Sequence, residues 1–469
     1  MTGTTPARTL DGTLSVRGGH LWVDEVDTAE VAARFGTPLY LLSERRLRAN
    51  VARYRSAFGD AWPHGEVRIL PSLKANPSTA VARILASEGV GCDVFGTSEF
   101  RLAMVGGFEP GLVSLNGSIK DQALIDAAVE AGVRITLDSP AELDRVLDAA
   151  TRTGRRAAVR LRARPDYAGL DLPTDFVEEA LPMSEAARRY KAGIPTSDLL
   201  AAGRRALDEP AIDLRGLMVH LPRHRTEVAV WATAAERFAD LVATASEAWD
   251  GWRPAELDVG GGLPSPRDPT GGLVERRAAE AREPVADTAT YARSIGDALA
   301  ARLRGRGLDP DGIALEVEPG RALFADAGIH LATVRHVKRE TEPMPWTWVE
   351  TDTSEVFVLD VLIEHNRWQV VAAERMDDAA VDPVDVVGRS CGFDLIVPDA
   401  DMPAIREGDL VAFLDTGAYQ DASATNFNAM PRPATVLVDG DGVELIKRAE
   451  TIEDVFARDI VPERLGGTG

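Results

Sequence analysis

Between about Thr37 and Ala325, short apolar runs alternate with amphipathic stretches, and few folds accommodate that rhythm at such length. It is the rhythm of βαβ units, in which parallel strands are joined by helices that cover the sheet. Val67-Arg68-Ile69-Leu70 reads as a strand. Ser78 to Glu88 reads as the helix after it, with Ser78 as cap and Val81, Ile84 and Leu85 on one face. The strand Val113 to Leu115 precedes a helix from Asp121 to Ala131, and Ile135 to Leu137 precedes one from Pro140 to Thr151. Ala157 to Leu161, Leu217 to His220, Glu256 to Val259 and Ala314 to Val317 supply further strands. About eight such strands close a (β/α)8 barrel of the TIM type.

Beyond Gly328 the texture changes. Short β-rich runs separated by Asp, Pro and Gly (Trp346 to Glu350, Trp368 to Ala372, Leu410 to Leu414, Ala434 to Val438) predict a second, mainly antiparallel β domain. Leu14 to Val26 is strand material suited to join it. The expected division is therefore a strand segment at 1–36, a barrel at 37–325 and a β domain at 326–469. Asp166 to Tyr190 reads as a long loop or partial helix on the barrel mouth, and Pro266 to Glu283 reads similarly.

A length of 469 residues exceeds one ordinary core and suits a barrel plus a second domain. A net charge of −22 argues against nucleic acid or an anionic membrane as partner, since both would repel it. Two cysteines, Cys92 and Cys391, make no disulfide framework and point to a reducing compartment. No apolar run reaches bilayer length, and Met1 to Leu10 lacks the pattern of a secretion signal, so the expected location is cytoplasmic.

Lys74 follows a strand directly, at the barrel rim where catalytic groups collect. A desolvated lysine amine there can condense with a carbonyl. Alone, such a lysine is more often simply solvated. Its company decides. Asp258-Val259-Gly260-Gly261-Gly262 closes another strand, with glycines that let backbone N–H groups approach a phosphate. Glu318-Pro319-Gly320-Arg321 closes the strand after that, and barrel phosphate sites commonly use the last two such loops. His220 ends a further strand. Each signal is modest, but all fall on one rim.

These motifs carry a resemblance that runs from about Leu14 to Val438. The chain resembles the fold-type III decarboxylases: the bacterial diaminopimelate decarboxylases first, and more distantly the ornithine, lysine and arginine decarboxylases. The landmarks are Lys74-Ala75-Asn76, Asp93-Val94, Ser98-Glu99-Phe100, Asn116 to Lys120, Asp138-Ser139 and Lys191 to Ile194. Gly260 to Gly262, Glu318 to Arg321, Gly388 to Cys391, Gly417-Ala418-Tyr419, Asn426-Phe427-Asn428 and Pro431-Arg432-Pro433 complete the set. The resemblance implies an alanine-racemase-like barrel, pyridoxal 5′-phosphate as cofactor and no metal. It implies that Lys74 holds the cofactor as an imine, that His220 stacks on its ring and that Glu318 pairs with the ring nitrogen. Asp93 and Gly320 join the cofactor set, while Gly260, Gly261, Gly262, Arg321 and Tyr419 hold the phosphate. Cys391 matches a residue that the partner subunit lends to the site, which implies a head-to-tail homodimer with shared active sites. It would also be the acid that reprotonates the α-carbon.

The substrate end departs from the pattern. Gly392 stands where an acidic residue usually reads the substrate's distal amine, with Asp394 two positions on. An Arg-Pro-x-Leu-Tyr-like segment is replaced by Asp352 to Phe357. Arg223, followed by His224, stands in place of a phosphate-binding serine after His220. Arg223, His224, Asp394 and Phe427 are the candidate substrate residues. The expected activity is decarboxylation of an amino acid or conjugate whose far end is bulky, neutral or acidic, in siderophore or other secondary-metabolite biosynthesis. The alternatives are a racemase or epimerase on the same barrel, a true diaminopimelate decarboxylase, and a regulatory homologue without cofactor. A carboxylate at the ring nitrogen favours decarboxylation over racemisation, because a protonated ring is the stronger electron sink.

Overall fold

The computed structural model describes residues 10, 12–167, 170, 172–176, 179–223, 225–265, 267, 285–364, 366, 368–381 and 383–466. They divide into two compact units, Leu47–Phe324 and the pair Met1–Arg46 with Ala325–Gly469.

The unit Leu47–Phe324 is the barrel. Its strands are β1 (Val67–Ile69), β2 (Cys92–Val94), β3 (Val113–Leu115) and β4 (Arg134–Leu137). β5 (Ala157–Arg162), β6 (Ile212–Met218), β7 (Glu256–Asp258) and β8 (Ala314–Val317) follow. Each pairs in parallel with its sequence neighbour from β2 round to β8, and β8 pairs with β1. A parallel bridge between Ser72 and Asp93 closes the ring between β1 and β2. Helices cover the outside by burying one stripe each. Thr79–Ser87 buries Val81, Ala82, Ile84 and Leu85. Asp121 caps the helix Gln122–Ala131 by accepting from the Leu124 N–H, and Gly132 at φ +79° ends it.

The inside is polar. Arg68 from β1 reaches Glu256 on β7 at 3.1 Å and Glu316 on β8 at 3.0 Å. Arg134 from β4 meets the same two carboxylates at 3.1 and 3.0 Å. Arg160 from β5 contacts Asp258 at 2.7 Å and also Glu316. β4 and β5 lie across the ring from β8, so Arg134 and Arg160 meet Glu316 over the barrel axis and these side chains fill the interior. Glu256, Asp258, Glu316 and Arg160 are all fully buried.

The stretch Asp166 to Tyr190, read as a loop or partial helix, holds the helix Met183–Arg189 and also a hairpin, Pro173–Phe176 with Glu179–Pro182. The similar stretch Pro266 to Glu283 lies outside the described residues except for Arg267.

The second unit is built on a nine-stranded, mainly antiparallel sheet. Leu39–Ser43, within the stretch read as barrel, pairs instead with Gly328–Glu340 (antiparallel) and Ala434–Asp439 (parallel). Its run Leu39-Tyr40-Leu41-Leu42 is buried on both faces, a pattern that suits the centre of either sheet. Leu39 and Leu41 share a core with Leu331 and Val436, and with Leu14, Leu21 and Val23 of the N-terminal strands.

His330 is buried in this unit, with Nε2 2.6 Å from Thr353 Oγ1 and its ring 4.7 Å from that of Tyr40. Burial pushes its imidazole down to about 3. Below about pH 6.5 the unfolded chain therefore takes up a proton that the folded chain excludes, and stability falls as pH drops. His330→Gln should remove that slope. Denaturant titrations at pH 7, 6 and 5 should find the stability gap between wild type and variant narrowing by about 1.4 kcal/mol per pH unit below 6.5. A constant gap would mean that His330 charges in the folded state.

Candidate active site

The C-terminal ends of the barrel strands present one group of side chains. Lys74 sits in the one-turn 3₁₀ helix Leu73–Ala75 just past β1, with Nζ 3.2 Å from Asp93 Oδ2 and 3.5 Å from Ser72 Oγ. Ser72 Oγ itself donates to Asp93 at 2.8 Å. Burial would push the Asp93 carboxyl up, but the Lys74 charge and the hydrogen bonds from Ser72, Lys74 and Asn116 outweigh it and hold the group below its usual range. Asp93 is thus an anion held against the lysine.

Glu318, just past β8, is buried and accepts from the Asn116 side-chain amide. Burial first, then the neighbouring Asp258 and Asp93 charges, push its carboxyl well above the usual range. The cation facing it, Arg160, stands 3.9 Å away and is engaged by Asp258 and Glu316. Glu318 is a carboxylate short of a counter-charge.

His220 follows β6. Burial and the charges of Arg162, Lys74 and Arg223 push its imidazole down to about 3, so it is neutral. Its Nδ1 lies 3.5 Å from the Gly261 N–H, which it can face only as an acceptor, and Tyr167 OH donates to its carbonyl at 3.3 Å. The glycines fit closely here. A Cβ on Gly260 (φ +68°) would lie 2.7 Å from His220 Nδ1, and one on Gly262 (φ +96°) 2.8 Å from the Pro222 carbonyl oxygen. Side chains are thus excluded from this turn, which leaves its backbone open. Gly320 precedes the buried Arg321, which begins the short helix Arg321–Phe324. Arg223 is exposed with its Cα beside Gly262, and His224 lies outside the described residues.

Cys391, Tyr419, Asp394 and Phe427 belong to the other unit. Cys391 is exposed, and its backbone N–H and Sγ face Asn428 Oδ1 at 3.0 Å and Nδ2 at 3.3 Å. Asp394 is buried and its carboxylate accepts from Ser354 Oγ at 3.1 Å and from the N–H groups of Glu355 and Ser390 at 2.5 Å. It clips the cysteine loop in place instead of reaching outward. The space beside Gly392 is not empty either, because a Cβ there would lie 3.0 Å from Glu355 Oε1. A carboxylate therefore stands at this loop although the sequence has none at 392. Phe427 is about half exposed, and Tyr419 adopts φ +69°. Cys92 is buried, and burial pushes its thiol up, as suits a core residue.

This donor set fits pyridoxal 5′-phosphate: an amine on a held anion, a glycine turn open to a phosphate, and a buried carboxylate that a protonated ring nitrogen would complement. Residues 44–325 match the family model for the pyridoxal-dependent decarboxylase pyridoxal-binding domain. The chain belongs to the pyridoxal-dependent decarboxylases. It is a carboxy-lyase that uses pyridoxal 5′-phosphate. It is 30% identical to the diaminopimelate decarboxylase of Pseudomonas aeruginosa over 447 residues, covering 95% of this chain and 98% of that one. The crystal structure of diaminopimelate decarboxylase from M. jannaschii superposes with a TM-score of 0.83 at 26% identity, covering 97% of this chain and 99% of the other. The same enzyme in complex with L-lysine superposes equally well, at 25% identity.

Three neighbours of the site escaped the sequence reading of roles: Ser72, Asn116 and Arg160. Ser72 and Asn116 are polar residues just past barrel strands, the same signal that singled out Lys74 and Glu318. Arg160 lies inside a strand, where no such signal exists.

The glycine turn gives a direct test. Gly260→Ala places a methyl group against His220 in a left-handed backbone, and the strain is of order 1–3 kcal/mol. Titration of cofactor-free protein with pyridoxal 5′-phosphate should find affinity at least about tenfold weaker. Unchanged affinity would separate this turn from cofactor binding.

Proposed function

We propose that this enzyme removes the α-carboxylate of an amino acid or amino-acid conjugate whose far end is held differently from that of diaminopimelate. The observation that carries the reading is the pairing of a Lys74–Asp93 ion pair with a buried Glu318 in one barrel rim. Bound pyridoxal 5′-phosphate supplies an electron sink for the pair left behind when carbon dioxide departs. Lys74 would hold it covalently, the neutral His220 would flank it, and Gly260 to Gly262, Gly320, Arg321 and Tyr419 would be its phosphate residues. Glu318 would favour a charged ring nitrogen, and Asp93 keeps the lysine oriented. Cys391, lent by the partner in a head-to-tail homodimer, returns a proton to the α-carbon. The carboxylate at Glu318 supports decarboxylation over racemisation.

The name diaminopimelate decarboxylase, borne by relatives of nearly equal length, supports that substrate as the second reading. The replaced segment Asp352 to Phe357 and the exposed Arg223 support a changed far end, and with it a place in specialised cytoplasmic biosynthesis.

Lys74→Ala should abolish the lysine-linked cofactor absorbance and lower turnover by at least about 10³-fold, measured as carbon dioxide release across amino acids and conjugated diamino acids. A variant that kept a borohydride-reducible band would put the covalent site elsewhere. Fast release from meso-diaminopimelate by the unmodified enzyme would favour the second reading.

The shared site has its own test. A Lys74→Ala chain mixed with a Cys391→Ala chain should regain activity through the composite site that keeps both residues. A verified heterodimer with no recovery would remove the shared-site claim.

A further inference from the structure

Asn116, just past β3, lies between the two carboxylates of the barrel rim. Its Nδ2 donates to Asp93 Oδ1 at 2.7 Å and to Glu318 Oε1. Ser114 Oγ lies 2.9 Å from Asn116 Oδ1, and Arg160 Nη2 donates to Ser114 Oγ. All four partners are buried, Ser114 and Arg160 completely.

The direction of these bonds is fixed by their chemistry. A guanidinium can only donate, so Ser114 oxygen accepts and its hydrogen goes on to Asn116 Oδ1. That leaves the amide one orientation, with both N–H bonds aimed at carboxylates. We infer that Asn116 is the positioning residue that holds both ends of the cofactor site together, by giving one hydrogen to the anion at Lys74 and the other to Glu318. This rests on the reading of Glu318 as the residue at the ring nitrogen.

The need for such a donor follows from charge. Asp93 and Glu318 repel each other, and Asp258 on β7 adds a third negative group near Glu318, with Arg160 on β5 as the cation facing it. Two buried carboxylates this close repel, and a donor placed between them lowers the cost of ionising both. Asn116 is placed there, and the Arg160–Ser114 chain stops it from flipping. Burial and the neighbouring carboxylates still push Glu318 up, so losing the amide would move it further towards the neutral acid.

The test compares holoenzyme of wild type, Asn116→Leu, which keeps shape without donors, and Ser114→Ala, which frees the amide to turn. Asn116→Leu should lower kcat by about 10²-fold with KM changed less than about threefold. It should also shift the pH midpoint of the bound cofactor's absorbance by a unit or more. Ser114→Ala should shift both in the same direction, with kcat down about tenfold. If Asn116→Leu does not fold, Ser114→Ala decides alone. Values within about twofold of wild type, or a lower kcat with an unshifted midpoint, would overturn the inference. A wild type that releases no carbon dioxide, but whose absorbance midpoint shifts in the variants, would overturn the decarboxylase reading and leave this one standing.

Discussion

The barrel depends on Arg160. Its guanidinium is fully buried on the axis, between Asp258 and Glu316 and within reach of Glu318. Burial alone would loosen its hold on the proton, but the surrounding carboxylates push the other way and prevail. Burial pushes the Glu316 carboxyl up, and the charges of Arg160 and Arg134 oppose that push. Removing one member of such a set leaves an uncompensated ion in a dry interior, at a cost of about 3–5 kcal/mol. The interior is a bound salt whose members stand or fall together. It passes upward into the site, because Glu318 lies two residues beyond Glu316 on the same strand end and so faces the same axis.

Much of the barrel was legible because its strands are short apolar runs with caps and glycines at the helix ends. Val67 to Ile69, Val113 to Leu115 and Ala314 to Val317 fall where the alternation puts them. The inward face was not legible. Arg68 interrupts β1, Arg134 opens β4 and Arg160 shares β5 with Arg162, and periodicity cannot tell an inward arginine from an outward one until the ring is closed. Leu39–Ser43 failed for a related reason. An apolar run buried on both faces fits the centre of any sheet, and only its partners, distant in sequence, decide which.

At the site, residues at strand ends were legible and residues that act through space were not. Lys74, His220 and Glu318 each follow a strand, so position alone suggests a role. Glu355 beside Gly392 had no such signal, because the two loops are clipped together by Asp394 and share no sequence pattern. The glycine at 392 implied vacancy, and the fold fills that space from another segment. Strained backbone gathers in the same unit: Asp394, Tyr419, Asn428 and Ala429 all have positive φ without being glycine. Such conformations persist where surrounding contacts over-determine them, and they mark loops held for a purpose.

The central position of Leu39–Ser43 also bears on how the chain comes off the ribosome. This strand is made well before its two neighbours, which begin at Gly328 and Ala434. For most of synthesis it is an apolar strand with two bare edges, while the residues of the barrel are still being added behind it. Exposed edges of that kind invite pairing with other nascent chains. The sheet cannot close around this strand until both later partners have been made, and a ribosome that stalls before them leaves behind an adhesive fragment.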